Sequence, residues 1–546
     1  MSICIIDPAA HMPGLKLLFP EAEYFSHEPD SFFTYISTHH YTKQKNKEEY
    51  GFEYRTDWEN INSNNFSTVF IVAPLMDYFN VVTTVLTPHL DRMLKKIREI
   101  FIQNTFQKIC LFDIYDYDYD PNDINTELRV DYYFKRNYNK NKSYKTNVFP
   151  FPCSMFVKPC VLSSMLNLNL NNKPSINKAM WAGCLYNHTD NNFTPPIVRN
   201  RVGMFEQIKD NLSVYNSLPY SEYIDKIRQH KIIVDLIGVG EPNKRTFEAL
   251  SNGILLMTMV NDLEWGFYPN DKFHPDTIFT SASDFKEKLN RLLNNEAHYQ
   301  SCLAIQNKLV KKYFNKEWLS LYIKKKIGIH EKVTLFITAC KRPDLMYQTM
   351  LTFVAYNTYP IEEAYIFEDS GEQDIHPYIS SLAPFPVKIL YTKKNRGQMR
   401  SIENGLQYIK TPFVFHCEDD WEFYDYGFIE KSFNILKKEP LMTSPWLRSY
   451  SDRLNNIKYT HGDGYIKFAP EVTNTLSFNP GLRTVETEKM FAPYTPDKLR
   501  TLCEGGLDHA LYKIGRHAGM TDNVEGYVRH IGWHRHVYNT LGIEKF

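Results

Sequence analysis

The sequence predicts an α/β protein of three successive domains with mostly parallel sheets, and three observations predict it. Strand signals and helical periodicities alternate from the first residues to the last, which is the rhythm of strand–helix–strand layers. The strand signals include largely apolar runs such as "GILLMTMV", which read as buried strands. Polar and acidic residues gather directly behind these runs, where loops converge beyond the carboxyl ends of parallel strands.

Composition limits the partners. The 546 residues are 43% hydrophobic and 23% charged, which leaves room for two to four domains of roughly 150 residues. Lys+Arg and Asp+Glu are 63 each, so no overall field favours nucleic acid or an anionic membrane, and charged ligands must be held locally. Nine cysteines, odd in number and without a C-x-x-C pair, indicate neither a spaced zinc module nor a full disulfide framework, and fit a reducing compartment. The opening "MSICIIDPAAHMPG" lacks the basic flank and apolar core of a signal peptide, and no run reaches the roughly 18 apolar residues of a membrane span. A cytoplasmic protein is expected, and nothing in the sequence sets its oligomeric state.

In the first domain, 1–160, "SICIID", "TVFIVAPL" and "KICLFDIYD" read as strands and "LDRMLKKIREIF" as a helix. The tyrosine-interleaved basic segment Lys135 to Lys145 is either a solvated loop, the preferred reading, or a phosphate-binding surface. His11, after the first strand, is a conceivable base or a bystander.

The second domain, 161–326, opens with the strand "KAMWAGCLY" and a helix containing "VGMFEQIKDN". "KIIVDLIGVG" and "GILLMTMV" follow as buried strands, then helical "FKEKLNRLL" and "WLSLYIKKKIG". Between the two buried strands, Gly238 and Gly240 permit a tight turn, Asn243 can start a helix, Phe247 and Leu250 pack inward, and Gly253 ends it. Lys244, Arg245 and Glu248 are left for a ligand: a basic helix start attracts phosphate, and Glu248 can accept bonds from ribose hydroxyls. The polar stretch Lys324 to Lys332 is the expected hinge.

In the third domain, 331–546, "VTLFIT", "AYIFEDSG", "VKILYT" and "FVFHC" are strands with polar ends. Met399, Ile402, Leu406 and Ile409 form one helix face that leaves Arg396 and Arg400 off it, at a helix start suited to a diphosphate. Glu418, Asp419 and Asp420 cannot all point one way on an extended stretch, but Glu418 and Asp420 can. Two such carboxylates suit a hard divalent ion, Mg²⁺ or Mn²⁺; an exposed acidic turn is the alternative.

The order "ITACKRP", "FEDSG", "NRGQMRSIENG", "HCEDDWEF" resembles the nucleotide-sugar half of GT-A glycosyltransferases, particularly family-two-like enzymes. The resemblance implies that Thr338, Arg342 and Asp419 lie near the nucleotide sugar, that Glu368 and Asp369 meet base or ribose, and that Glu418 and Asp420 hold Mn²⁺ or Mg²⁺. "EDSG" departs from the usual D-D-G-S. It further implies Asp508 as the acceptor-activating base, with Glu504 second, although Leu507 replaces the first acid of the family's pair and Asp508 reads equally as a helix cap. His530 with Gly532 resembles a late metal-binding H-x-G; His534 and His536 stand beside it.

Arg245, Phe247, Glu248, Ala249, Leu250 and Gly253 match the R-x-F-E-A-L-x-x-G run of the Rossmann-like donor half of GT-B glycosyltransferases, especially the CgeB-like group, though Glu241 is one residue too close to reproduce their glutamate pair. Together the resemblances imply a bifunctional glycosyltransferase, with UDP- or GDP-type donors and a glycan or glycoconjugate hydroxyl as acceptor. Its GT-A site would be metal-dependent and inverting, and its GT-B site metal-independent. The alternative is a single GT-A activity beside a glycan-binding or scaffolding GT-B-like module. Nucleotidyl transfer lacks support, because no glycine-rich phosphate cradle follows Thr338.

Overall fold

The computed structural model describes residues 2–7, 12, 14–26, 55, 60–73, 99–113, 129–136, 138–151, 167–182, 196–215, 218–236, 244–260, 263–266, 268–454, 457–469, 478–490, 511 and 513–533. His11, Gly238, Gly240, Glu241, Asn243, Glu504, Asp508, His534 and His536 lie outside them. Two compact units divide at Ile327 and Gly328.

The first unit holds two parallel sheets. Strands β1 (Ile3–Ile6), β2 (Glu23–Phe25), β3 (Thr68–Ala73), β4 (Lys108–Asp113) and β5 (Tyr132–Lys135) belong to the first. After β6 (Tyr138–Asn139), β7 (Val148–Pro150) completes it in the order β2-β1-β3-β4-β5-β7. Its core packs Ile6, Phe25, Val69, Ile71 and Leu111. Lys135, counted with the basic segment, is no surface residue: it is buried with its ammonium 3.9 Å from Asp113.

The second sheet comprises β8 (Ile176–Ala182), β9 (Leu212–Tyr215), β10 (His230–Asp235), β11 (Leu255–Met259) and, beyond the short β12 (Leu263–Glu264), β13 (Ile278–Phe279). Their order is β13-β11-β10-β8-β9, and β12 pairs with β6. All six residues of β10 are buried, the apolar Ile232 to Val234 together with His230, Lys231 and Asp235. The chain leaves β9 on one side and resumes with β10 on the other, so the strand order reverses between β8 and β10. The last helix of this stretch, Lys316–Lys326, returns to the first sheet, where Tyr322 donates to the Pro150 carbonyl (2.8 Å) and stacks on Phe151.

The second unit is centred on β14 (Val333–Ala339), β15 (Glu363–Glu368), β16 (Val387–Tyr391) and β17 (Phe413–Glu418), followed by β18 (Trp421–Phe423) and β19 (Met442–Trp446). The hairpin β20 (Tyr459–Gly462) and β21 (Tyr465–Phe468), then β22 (Gly481–Thr484), β23 (His517–Thr521) and β24 (Val528–His530) complete it. The main sheet runs β16-β15-β14-β17-β22, parallel except for β22. Ile402, Leu406 and Ile409 pack into its core against Phe336 and Val414, with Met399 partly buried, as the helical periodicity predicts. Here the order reverses between β14 and β17, which opens a crevice at their carboxyl ends. No helix of the described residues is long and apolar enough to cross a membrane.

Candidate functional site

The crevice between β14 and β17 gathers the charged residues. Thr338 is the register partner of Glu418, so the loops that follow, Cys340–Arg342 and Glu418–Asp420, face one another. Lys341 takes a left-handed φ of 53°, which turns Arg342 into position as the residue capping the helix Pro343–Tyr356. Arg342 then grips both aspartates: Nε donates to Asp419 Oδ2 (3.2 Å), Nη2 to Asp419 Oδ1, and Nη1 to Asp420 Oδ2 (2.7 Å).

Asp419 points inward and also accepts from the Cys340 N–H (3.2 Å). Burial pushes its carboxyl up to about 6, against the pull of Arg342 and with added repulsion from Asp420. For Asp420 burial acts the same way, yet the His530 hydrogen bond and Arg342 hold it below the usual carboxylate range. His530 Nε2 lies 3.0 Å from Asp420 Oδ2, and the Ile531 N–H donates to the Asp420 carbonyl (2.9 Å). Gly532 is required by this closeness, since a Cβ there would stand 2.2 Å from Asp420 Oδ2. The H-x-G segment therefore wraps Asp420 directly.

Glu418 is occupied elsewhere: Gln398 Nε2 donates to Oε1 (2.8 Å) and Trp421 Nε1 to Oε2 (3.3 Å). Glu418, Asp420 and His530 do not form a set of ligand atoms within 4.8 Å of one another, so the expected trio is not closed. The residues nevertheless fit a hard divalent cation. Asp420 Oδ1 is buried without a hydrogen-bond partner, and the single Arg342 guanidinium is shared by two carboxylates, Asp419 and Asp420, an arrangement that a divalent cation could complete. Thr338 Oγ1 is likewise buried without a partner.

The two other expected carboxylates position loops. Glu368 accepts from the N–H groups of Lys341 (3.0 Å) and Ser370 (2.9 Å) and from His376 Nε2 (2.7 Å). Burial opposes its ionisation, but His376 and these amides hold its carboxyl below the usual range. Asp369 accepts from the N–H groups of Arg396 (3.0 Å) and Gly397 (2.6 Å), so the amides expected to hold a diphosphate are already taken. Arg396 and Arg400 are exposed. His376 and Gln398 escaped the sequence reading; no spacing rule links them to Glu368 and Glu418, which they meet only through the fold.

The second reversal point, between β8 and β10, has a different balance. Asp235 ends β10 and pairs with Arg245 Nη1 (3.4 Å) while Thr246 donates to its other oxygen. The Arg245 guanidinium lies 5.3 Å above the Trp181 ring. Glu248 is buried and hydrogen-bonded to Tyr223, whose phenol is raised well above its ordinary value, first by burial and then by that carboxylate. Lys244 begins the helix Lys244–Ser251. Gly253 ends it at φ +64°, where a Cβ would press on the Leu170 backbone at 2.8 Å.

Residues 199–321 match a family described as glycosyl transferase-like, and residues 334–492 match glycosyl transferase family 2. The chain carries two glycosyltransferase modules. The N-terminal match contains Asp235, Arg245 and Glu248 but not Trp181; the C-terminal match contains Thr338 to Asp420 but not Glu504, Asp508 or His530. No curated protein matches the chain. Among solved structures it is similar to T4 phage β-glucosyltransferase, at 12% identity and TM-score 0.35 over 60% of this chain and 99% of that one. It is similar to the mannosyltransferase PcManGT of Pyrobaculum calidifontis, in complex with GDP-Man and Mn²⁺, at 11% identity and TM-score 0.28 over 35% and 55% of the two chains. Staphylococcus aureus TarS residues 1–349 give 13% identity and TM-score 0.28 over 36% and 59%.

Proposed function

We propose that the C-terminal module transfers a sugar from a UDP- or GDP-type donor to a hydroxyl of a glycan or glycoconjugate, with inversion, at the crevice between β14 and β17. The observation that carries this reading is Asp420: buried, ionised, wrapped by His530 and Gly532, and left with one oxygen unpartnered. Asp420 and Glu418 are the residues to hold Mn²⁺ or Mg²⁺, with His530 orienting Asp420. A bound cation supplies charge neutralisation for the departing diphosphate. Thr338 offers its free hydroxyl to the donor, and Asp419 and Arg342 fix the loops around it. Asp508, with Glu504 as second choice, is proposed on resemblance as the base that takes the acceptor proton during in-line displacement.

The N-terminal module is proposed to turn over a nucleotide sugar without metal, with Lys244, Arg245 and the helix start at the diphosphate and Glu248 at the ribose. One observation favours the rival reading of a non-catalytic glycan-binding module: Arg245 Nη1 and Glu248 already have internal partners in Asp235 and Tyr223, although Arg245 Nε has none. A panel of UDP- and GDP-sugars assayed with and without Mn²⁺ separates these. Turnover that needs the ion and disappears in Asp420→Ala supports the C-terminal reading, and its persistence in that variant refutes it. Turnover without metal that falls in Glu248→Ala supports the second activity, and its absence leaves the N-terminal module as a binding unit.

A further inference from the structure

A separate cluster lies at the edge of the second sheet. His274 caps the short helical turn Pro275–Thr277 that leads into β13, and His298 and Cys302 lie one turn apart on the helix Glu296–Tyr313. The ligand atoms of His274, His298 and Cys302 all lie within 4.8 Å of one another. Cys302 Sγ stands 3.8 Å from His298 Nε2, close to the separation of about 3.6 Å between sulfur and nitrogen ligands on one tetrahedral zinc.

Asp276 connects both imidazoles. Its backbone N–H donates to His274 Nδ1 (3.1 Å), and its Oδ2 accepts from His298 Nε2 (2.6 Å) while Arg291 balances its charge at 2.8 Å. A structural ion pair would need only Asp276, Arg291 and His298. His274 has a capping bond of its own and Cys302 packs in the core, but neither role requires the three ligand atoms to converge within 4.8 Å of one another.

We propose that His274, His298 and Cys302 form a site for a zinc-class transition metal, with a water molecule in the fourth position. On capture His274 Nδ1 gives up its bond from the Asp276 N–H, the proton that His298 Nε2 shares with Asp276 is replaced by one on Nδ1 through solvent so that Nε2 is free to bind, and Cys302 releases its thiol proton to solvent as the thiolate binds. Because ligation removes the Cys302 proton, apparent affinity rises with pH. The nitrogen and sulfur ligands select Zn²⁺ over Mg²⁺ or Mn²⁺. The ion would fasten the edge strand β13 to the helix behind it. The sequence hides this site because His274 is distant and the cysteine has no partner cysteine nearby.

The test is titration of the full-length, metal-stripped protein with Co²⁺ and then Zn²⁺. The proposal expects, in excess Mg²⁺, a near-ultraviolet thiolate-to-cobalt band that saturates at one Co²⁺ per chain and is displaced by Zn²⁺, and a higher thermal midpoint with Zn²⁺. Cys302→Ser should abolish the band, and His298→Gln should weaken Zn²⁺ binding by about tenfold or more; Cys340→Ser should retain both. Absence of the band from the wild-type protein, or its survival in Cys302→Ser, overturns the proposal.

Discussion

At the reversal point between β14 and β17, Asp419 and Asp420 share one arginine and leave a buried oxygen of Asp420 bare; between β8 and β10, Arg245 pairs with Asp235 and Glu248 with Tyr223. Both crevices arise from the same topological device, the place where a parallel sheet changes direction. What differs is charge. An excess of buried negative charge is costly until a cation arrives, and on the proposed reading an ion would relieve it in the first crevice. In the second, Asp235 already holds Arg245 Nη1 while Arg245 Nε lacks a partner, and on the proposed reading a donor would compete with that pairing.

The largest way to break this contrast is Asp420→Ala. Metal-dependent turnover should fall by at least about 10²-fold, measured with saturating Mn²⁺, while metal-free turnover is unchanged. Arg342→Gln should come next. Removing the guanidinium that pairs with buried Asp419 and Asp420 should cost about 3–5 kcal/mol in chelator, and added Mn²⁺ should recover more of the lost thermal midpoint than it adds to wild type. Equal ion responses in the two proteins would mean that Arg342 and the metal do not answer the same charge.

Gly532→Ala should lower metal-dependent turnover about tenfold, because the new methyl group displaces Asp420 from His530. Glu248→Ala should lower metal-free turnover by a similar or smaller factor and leave the Mn²⁺-dependent reaction intact.

A pH experiment isolates structural charge from catalytic charge. Buried Glu488 is brought down to about 2: burial pushes it upward, but Arg483 and His416 outweigh that. Its folded pKa is depressed, so the stability it provides is present above the unfolded value near 4.5 and is lost as pH falls through about 2. Denaturation of wild type against Glu488→Gln should show a difference that shrinks across that window; a constant difference would place the effect elsewhere.

The layered architecture was legible because parallel strands are buried on both faces and leave apolar runs, as in Val333–Ala339, and because Ile402, Leu406 and Ile409 repeat with helical spacing. The acids at the end of β17 were legible as a cluster. Their division of labour was not. Alternation along a strand paired Glu418 with Asp420, yet the chain turns after Glu418, sending Asp419 inward to Arg342 and handing Glu418 to Gln398. Likewise Asp369 reads as a ligand contact until the loop beneath the helix Gln398–Leu406 is seen to need its oxygens. Such roles depend on loop conformation, which pattern does not encode.

The helix Lys316–Lys326 carries a consequence for biosynthesis. Tyr322 reaches back 172 positions to the carbonyl of Pro150, and Lys326 lies 5.0 Å from the Phe149 ring. On the ribosome, a nascent chain that has finished β7 therefore still lacks part of the cover of its first sheet, and must wait for more than half of the polypeptide to emerge. Cleavage between the two sheets would strip that cover, so neither half should survive as a fully packed fragment.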